Sequence, residues 1–252
     1  MLAVLTEIRP VTQRDTLYTF ECPLIARAAR PGQFVEIRLT DGYEPFLRRP
    51  ISIFDTDGAR TFSLLVRTVG RGTAAMAGWR TGTGVDVLGP LGNGFSWEPE
   101  DRDCVLMAGG IGLAPLAFLA RQLLDEGKQV RLLFSPKRDA DLLQALPFRE
   151  RVGIVFSENR NALPAVLTAI LRHGADAVFS CGPEGFLKTV AAYAAKYHTP
   201  CQISVERRMA CGIGLCLGCA IAVRTEQGVT YRKVCRDGPV FRAEEVVFDE
   251  ES

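Results

Sequence analysis

The chain has almost no excess charge: 30 Lys and Arg face 29 Asp and Glu over 252 residues, a formal net charge of +1. That balance argues against nucleic-acid binders and polybasic membrane binders, whose affinity comes mostly from clustered positive charge. Long apolar runs are also missing. The stretch 104–120 has seventeen residues without a charge, but it contains Gly109, Gly110, Gly112 and Pro115 and falls short of a spanning helix. The opening MLAVLTEIRP has no basic n-region and meets Glu7 before an apolar run develops, so no signal peptide is expected. No internal repeat is evident. These absences lead to the expectation of a cytoplasmic protein, whose thiols stay reduced. Its eight cysteines then suggest metal or redox chemistry before disulfides.

What is present divides the chain into three parts. Up to about residue 98, short apolar runs (34–39, 51–54, 62–66 and 85–88) are separated by Gly, Pro and Asp turns. This spacing predicts a small antiparallel barrel or sandwich. The loop 90–95 and the acidic turn 99–103 mark a boundary. From Cys104 the texture changes. A strand over 104–108 leads through glycines to a helix on which Leu113, Leu116, Ala117, Ala120, Leu123 and Leu124 recur, and Gly127 ends it. Further strands are expected at 130–134, 153–156 and 175–180, with helices from Pro164 to Arg172 and from Pro183 to Tyr197. Strands alternating with helices imply a parallel sheet with covered faces. After Cys201 come a strand at 202–205, a cysteine-rich loop and a hairpin through 220–223 and 229–233. The acidic tail 244–250, interrupted by Val246, Val247 and Phe248, reads as a solvated face. The expected fold class is multi-domain α/β plus β: an N-terminal antiparallel β-barrel (1–98), a central parallel-sheet α/β domain (99–200) and a small C-terminal cysteine-rich domain (201–252).

The cysteines carry the sharpest signal. Cys211, Cys216 and Cys219 form C-x4-C-x2-C, and fifteen residues separate Cys219 from Cys235. The first spacing is that of plant-type [2Fe–2S] ligation. Gly212, Gly214 and Gly218 would let the backbone wrap closely and aim N–H groups at sulfur. Such donors stabilise the negative charge of cluster and thiolates. The alternative is a structural zinc site, although zinc ribbons favour paired C-x2-C knuckles and only one such pair exists here. Cys22, Cys104 and Cys201 read as small buried hydrophobes.

Two further sets of motifs suggest nucleotide binding. Arg49, Pro50, Ile51 and Ser52, preceded by Arg48, open a strand in the barrel region. An arginine fork suits a diphosphate, and Ser52 could hydrogen-bond a ring edge. Leu65, Val66 and Arg67 end another strand, followed by Gly70, Arg71, Gly72 and Thr73, with a helix expected after Gly72. A glycine turn at a helix N-terminus suits an anion. Either motif alone is equally an ordinary solvated turn. Gly109, Gly110 and Gly112 form a glycine turn between strand and helix, the setting in which a dinucleotide pyrophosphate meets a helix N-terminus, or else plain tight packing. Cys181, Gly182 and Pro183 repeat this logic, and in an open parallel sheet both turns would face one crevice.

The order of these motifs resembles the ferredoxin–NADP reductase superfamily. The run 206–219 with 234–241 looks like the electron-transfer subunits of B-type, NAD-dependent dihydroorotate dehydrogenases, over essentially the whole chain. The resemblance implies FAD contacts at Arg49, Pro50, Ile51, Ser52, Leu65, Val66, Arg67, Gly72 and Thr73, and [2Fe–2S] ligands at Cys211, Cys216, Cys219 and Cys235. It implies NAD at Gly109, Gly110, Gly112, Cys181 and Gly182. Lys137 and Arg138 stand where a 2′-phosphate would lie in an NADP enzyme, so the choice of NAD rests on the family. A partner chain holding FMN would oxidise dihydroorotate to orotate in pyrimidine biosynthesis, in a heterotetramer of two copies of each chain. Electrons would then pass through the cluster and FAD to NAD⁺, with the cysteine loop facing the partner. The alternatives are the flavin subunit of another complex, such as a hydrogenase or an NADH-dependent ferredoxin:NADP oxidoreductase, and a non-enzymatic zinc-stabilised module. A self-contained oxygenase reductase is disfavoured, because about forty residues after Cys211 are too few for a ferredoxin domain.

Overall fold

The computed structural model describes residues 1–40, 42, 44–136, 140–157 and 161–248. Its first half contains β1 (Leu2–Pro10), β2 (Asp15–Glu21), α1 (Pro23–Ala28), β3 (Phe34–Ile37), β4 (Arg49–Ser52), β5 (Asp55–Thr56), β6 (Thr61–Arg67), α2 (Arg71–Ala75) and β7 (Gly84–Leu91). The seven strands form one sheet in the order β4-β3-β7-β1-β2-β6-β5, with every pair antiparallel. A period of two explains its core. Tyr18 and Phe20, Val35 and Ile37, Phe62, Leu64 and Val66, and Val85 and Val87 all point to one side and are buried together. Leu17 and Leu65, of the opposite parity, pack instead against the second half of the molecule.

That second half contains β8 (Asp103–Gly109), α3 (Leu113–Asp125), β9 (Gln129–Ser135), β10 (Gly153–Phe156), α4 (Leu163–Leu171), β11 (Ala177–Cys181), α5 (Glu184–Lys196) and β12 (Cys201–Ser204). The hairpin β13 (Ala220–Thr225) and β14 (Gly228–Lys233), the short α6 (Val234–Asp237) and β15 (Val240–Arg242) follow. The sheet order is β10-β9-β8-β11-β12-β15. Five strands run parallel, and β15 pairs antiparallel with β12. The sheet is therefore mixed, where an all-parallel one was expected. After the cysteine loop the chain turns back, and β15 gives the edge of β12 the backbone partners it would otherwise lack. Two strands of this sheet, β12 and β15, come from the stretch after residue 200.

Other differences have local causes. The sequence pattern does not separate β1, β2 and α1, although Pro10 ends the first strand and Pro23 opens the helix. Helix α2 begins at Arg71, ahead of Gly72, because Gly70 in extended conformation supplies the N-cap. The acidic tail is only partly solvated: Val246 bridges Val223 and is buried. Asp249 and Glu250 lie outside the described residues. Cys22, Cys104 and Cys201 are buried as expected, and burial pushes the Cys104 thiol up to about 11 and Cys201 to about 12. Among the described residues, no helix is long and apolar enough to cross a membrane.

The two sheets form a shared core in which Leu17, Phe54 and Leu65 meet Leu113, Leu116 and Ala117 of α3. Arg121 of α3 adds a bond from Nε to Asp55 Oδ1 at 2.7 Å and another from Nη2 to the Thr56 carbonyl at 3.0 Å. At the same seam Asp15, 0% exposed, holds Arg67 through two parallel bonds of 2.7 and 2.9 Å and accepts a third from the Thr12 hydroxyl at 2.7 Å. Removing one partner of a buried pair strands the other charge. Asp15→Ala should therefore lower stability by about 3–5 kcal/mol, read by denaturant unfolding. A loss below about 1 kcal/mol, the level of a surface ion pair, would show that the pair is not structural.

Candidate functional site

Cys211, Cys216 and Cys219 lie on the loop between β12 and β13, and Cys235 lies in α6. The loop folds around its own sulfur atoms. Gly214 N–H donates to Cys235 Sγ at 3.1 Å, Leu215 N–H to Cys211 Sγ at 3.4 Å and Cys235 N–H to Cys219 Sγ at 3.4 Å. Gly212 and Gly214 have φ of +67° and +84°, and a Cβ on Gly214 would stand 2.8 Å from Arg236 Cδ. Only glycine meets both demands cheaply. Backbone N–H groups of Ile213 and Cys216 pull the Cys211 thiol down to about 6, whereas burial, and then Cys219, pushes Cys235 up to about 12.

The four thiols gather at one place: Cys216 bears on Cys211, and both Cys219 and Cys211 bear on Cys235. Among the described residues, no three Cys, His, Asp or Glu side chains converge as the ligands of a single ion do. Four thiols with backbone N–H donors on a glycine loop would suit a [2Fe–2S] cluster, which Cys211, Cys216, Cys219 and Cys235 would hold. The tip of the loop is apolar and open, with Ile213 47%, Leu215 78% and Leu217 65% exposed.

The two cysteine-bearing segments, the α6 turn with Cys235 and the loop, are each held from outside. On one, Asn93 donates from its backbone N–H to the Gly238 carbonyl at 2.5 Å and from Nδ2 to the Asp237 carbonyl at 2.9 Å. A Cβ on Gly92 would meet Gly238 O and Pro239 Cδ at 2.6 Å. On the other, a Cβ on Gly212 would lie 2.6 Å from Cγ and 2.7 Å from Oε1 of Glu36 on β3. Glu36 is 1% exposed and its two oxygens have no hydrogen-bond partner among the described residues. Burial pushes its carboxyl up to about 7, against the pull of Arg48 and Arg49.

Strand β4 pairs with β3, with Pro50 opposite Glu36 and Ser52 opposite Phe34. Arg48 is spent on Asp86, donating to its carboxylate and carbonyl. Arg49 instead reaches α2, where a Cβ on Gly72 would stand 2.7 Å from its Nε. The Arg49–Ser52 and Gly72–Thr73 motifs thus converge, beside a cleft of 430 Å³ lined by Arg49, Arg71, Phe46 and Leu47. The Thr73 hydroxyl closes the turn by accepting from Val69 N–H at 2.9 Å. Leu65 and Val66 bury their side chains in the cores on either side of the sheet, so only their main chain faces any ligand. Arg67, fixed by Asp15, reaches toward the other domain, where a Cβ on Gly110 would lie 3.8 Å from its Nη1.

The two glycine turns meet at the carboxyl ends of neighbouring strands, β8 and β11, in register at Ala108 and Cys181. They touch backbone to backbone. A Cβ on Gly112 would lie 2.2 Å from Cys181 O, and one on Gly182 2.9 Å from Gly109 Cα. Tight packing therefore accounts for Gly109, Gly112 and Gly182, while Gly110 (φ +56°) keeps the turn open toward Arg67. Cys181 is buried, and burial drives its thiol far above the ordinary range. A larger cleft of 790 Å³ lies at the amino ends of β11 and β12, near Trp97 and His198, away from the strand ends that bind ligands in such sheets. Lys137 and Arg138 lie outside the described residues. Glu36 and Asp15 escape sequence reasoning. Glu36 sits where strand alternation gives an outward residue, and the distant cysteine loop packs over it at Gly212.

Residues 206–247 match the family described as the iron-sulfur cluster binding domain of dihydroorotate dehydrogenase B. A relative named dihydroorotate dehydrogenase B (NAD(+)), electron transfer subunit, from Shouchella clausii is 38% identical over 235 residues, covering 90% of each chain. A protein of the same name from Geobacillus kaustophilus is 34% identical, covering 95% of each chain. Among solved structures, an NADH-dependent reduced ferredoxin-NADP oxidoreductase aligns over 99% of this chain and 91% of its own, with a TM-score of 0.85 and 26% identity. Phthalate dioxygenase reductase, at 19% identity and a TM-score of 0.63 over 94% of this chain and 77% of its own, shares the fold. With four cysteines gathered at a glycine loop and this identity along nearly its whole length, the chain belongs to the family of dihydroorotate dehydrogenase B (NAD(+)) electron transfer subunits.

Proposed function

We propose that the chain passes electrons from the FMN of a partner catalytic subunit, which oxidises dihydroorotate to orotate in pyrimidine biosynthesis, through [2Fe–2S] and FAD to NAD⁺. The observation that carries this reading is the seating of the cysteine loop on β3, the strand beside the Arg49–Ser52 motif. When bound, a nicotinamide exchanges hydride, a cluster single electrons, and a flavin both.

The chain's own residues bind and orient. Arg49, lying against Gly72, offers a fork of donors to the FAD diphosphate. Ser52 and Ile51 border the ring, with Pro50 and the main chain of Leu65, Val66 and Thr73 completing the site. Gly109, Gly110, Gly112, Cys181 and Gly182 frame the nicotinamide crevice, and Arg67 stands at its rim. Cys211, Cys216, Cys219 and Cys235 hold the cluster. No dihydroorotate base is assigned to this chain, since that chemistry belongs to the partner. The functional division is FAD at 1–98, NAD at 99–200 and cluster at 201–252, in a cytoplasmic heterotetramer of two copies of each chain. The high TM-score with the ferredoxin-NADP oxidoreductase favours one second reading, a diaphorase subunit of another complex. The partner that co-purifies from the native source distinguishes the two.

Three outcomes test this reading. Each of Cys211→Ser, Cys216→Ser, Cys219→Ser and Cys235→Ser should reduce bound iron and the cluster's electron paramagnetic resonance signal while FAD absorbance persists. Unchanged iron in all four would sink it. Arg49→Ala should weaken FAD by about tenfold or more, the worth of a charged hydrogen bond, in a flavin-release titration. Exposed Leu215 and Ile213 should pack against the catalytic subunit. Leu215→Asp and Ile213→Asp should raise the dissociation constant by at least about tenfold (roughly 1.4 kcal/mol) with cluster content intact, and a complex that survives both unchanged refutes that interface.

A further inference from the structure

Glu36 has no part in the function described so far, and its environment is unusual. Its neighbours on the strand, Val35 and Ile37, pack into the core of the antiparallel sheet, whereas Phe34, two residues back, packs into the core that holds Cys219 and Cys235. Glu36 shares the face of Phe34 and is 1% exposed. Among the described residues, its two oxygens are the buried side-chain polar atoms that lack a hydrogen-bond partner. A leucine would fill the same space without desolvating a carboxyl. The carboxyl is aimed at the loop: Oε1 lies 2.7 Å from where a Cβ on Gly212 would stand, and Gly212 follows the ligand Cys211. Its opposite flank is the flavin strand; burial, the largest influence, and Cys211 push the carboxyl up, while Arg48 and Arg49 pull it toward the charged form.

We propose that Glu36 sets the reduction potential of the cluster: a carboxylate enclosed between the flavin strand and the cysteine loop opposes the negative charge that an added electron brings. The inference rests on the cysteine quartet holding a [2Fe–2S] cluster, as proposed above. A unit charge roughly 12 Å away, at an effective dielectric constant of about 20, changes such an equilibrium about tenfold. Closer approach changes it more. Because the carboxylate lies between the two redox sites, it biases how electrons divide between them, favouring the flavin over the cluster.

The test uses the complete complex with FAD and cluster loaded, titrated with dithionite in mildly alkaline buffer. Cluster reduction is followed by electron paramagnetic resonance and the flavin by absorbance. Glu36→Gln keeps the shape and removes the charge. It should favour the reduced cluster by about tenfold, a rise of ~59 mV for a one-electron couple, with a smaller shift in the flavin. Glu36→Asp, which keeps the charge, should stay close to the parent. An unmoved cluster potential in Glu36→Gln, an equal shift in the flavin, or a downward shift overturns the assignment. A purely structural role would instead lower cluster content or thermal stability in both variants and leave the potential in place. Absence of iron from the parent complex would overturn the cluster reading itself, an outcome separate from failure of Glu36 to act on it.

Discussion

Close approach of backbone to sulfur, and of one backbone to another, is the constraint on which the rest of this molecule depends. The cysteine loop can point N–H groups of Gly214, Leu215 and Cys235 at its thiols only because the chain turns through left-handed conformations at Gly212 and Gly214. The loop has little regular structure of its own and is held by Glu36 of β3, while Gly92 and Asn93 hold the turn after α6 that follows Cys235. The same kind of contact, glycine on backbone, joins the two turns at the ends of β8 and β11. Each ligand-facing element is thus a tight turn anchored on a rigid sheet, which limits positional error without a large polar network.

The arrangement has consequences for how charge is distributed. Arg48 and Arg49 sit side by side in sequence, yet Asp86 neutralises the first and leaves the second to lie against α2. Asp15 fixes Arg67 at the domain seam and directs it toward the glycine turn of the other sheet. Glu36 places a buried carboxyl group where β3 meets the cysteine loop at Gly212. Each charge is buried or half-buried, so bulk salt screens it weakly. Away from this junction the loop tip is apolar and exposed, as suits a surface that meets another chain.

Much of this was legible in the sequence where one local rule was enough. C-x4-C-x2-C pointed to three candidate ligands because metal spacing is set by a short loop. The apolar run over 62–66 and the helical recurrence from Leu113 to Leu124 identified β6 and α3, because a short run bounded by turns fits a buried strand and a 3.6-residue period fits a helix. The antiparallel strand β15 was not legible. It is three residues long, and its partner β12 lies beyond the cysteine loop and hairpin. The acidic tail misled for a similar reason, since charge density says nothing about Val246 finding Val223 across a hairpin.

The sequence by itself determined the chemistry on offer: which residues can hold iron, which turns can accept phosphate, and that the chain divides into an antiparallel and an α/β part. These follow from residue type and from periods of two or 3.6, which are local properties. Tertiary structure alone decided what those groups face. It put Arg49 against Gly72, Arg67 at Gly110 and Glu36 beneath Gly212, pairs separated by tens to nearly two hundred residues of chain. Burial and electrostatic environment belong to whatever folds over a residue, and no local pattern encodes that cover.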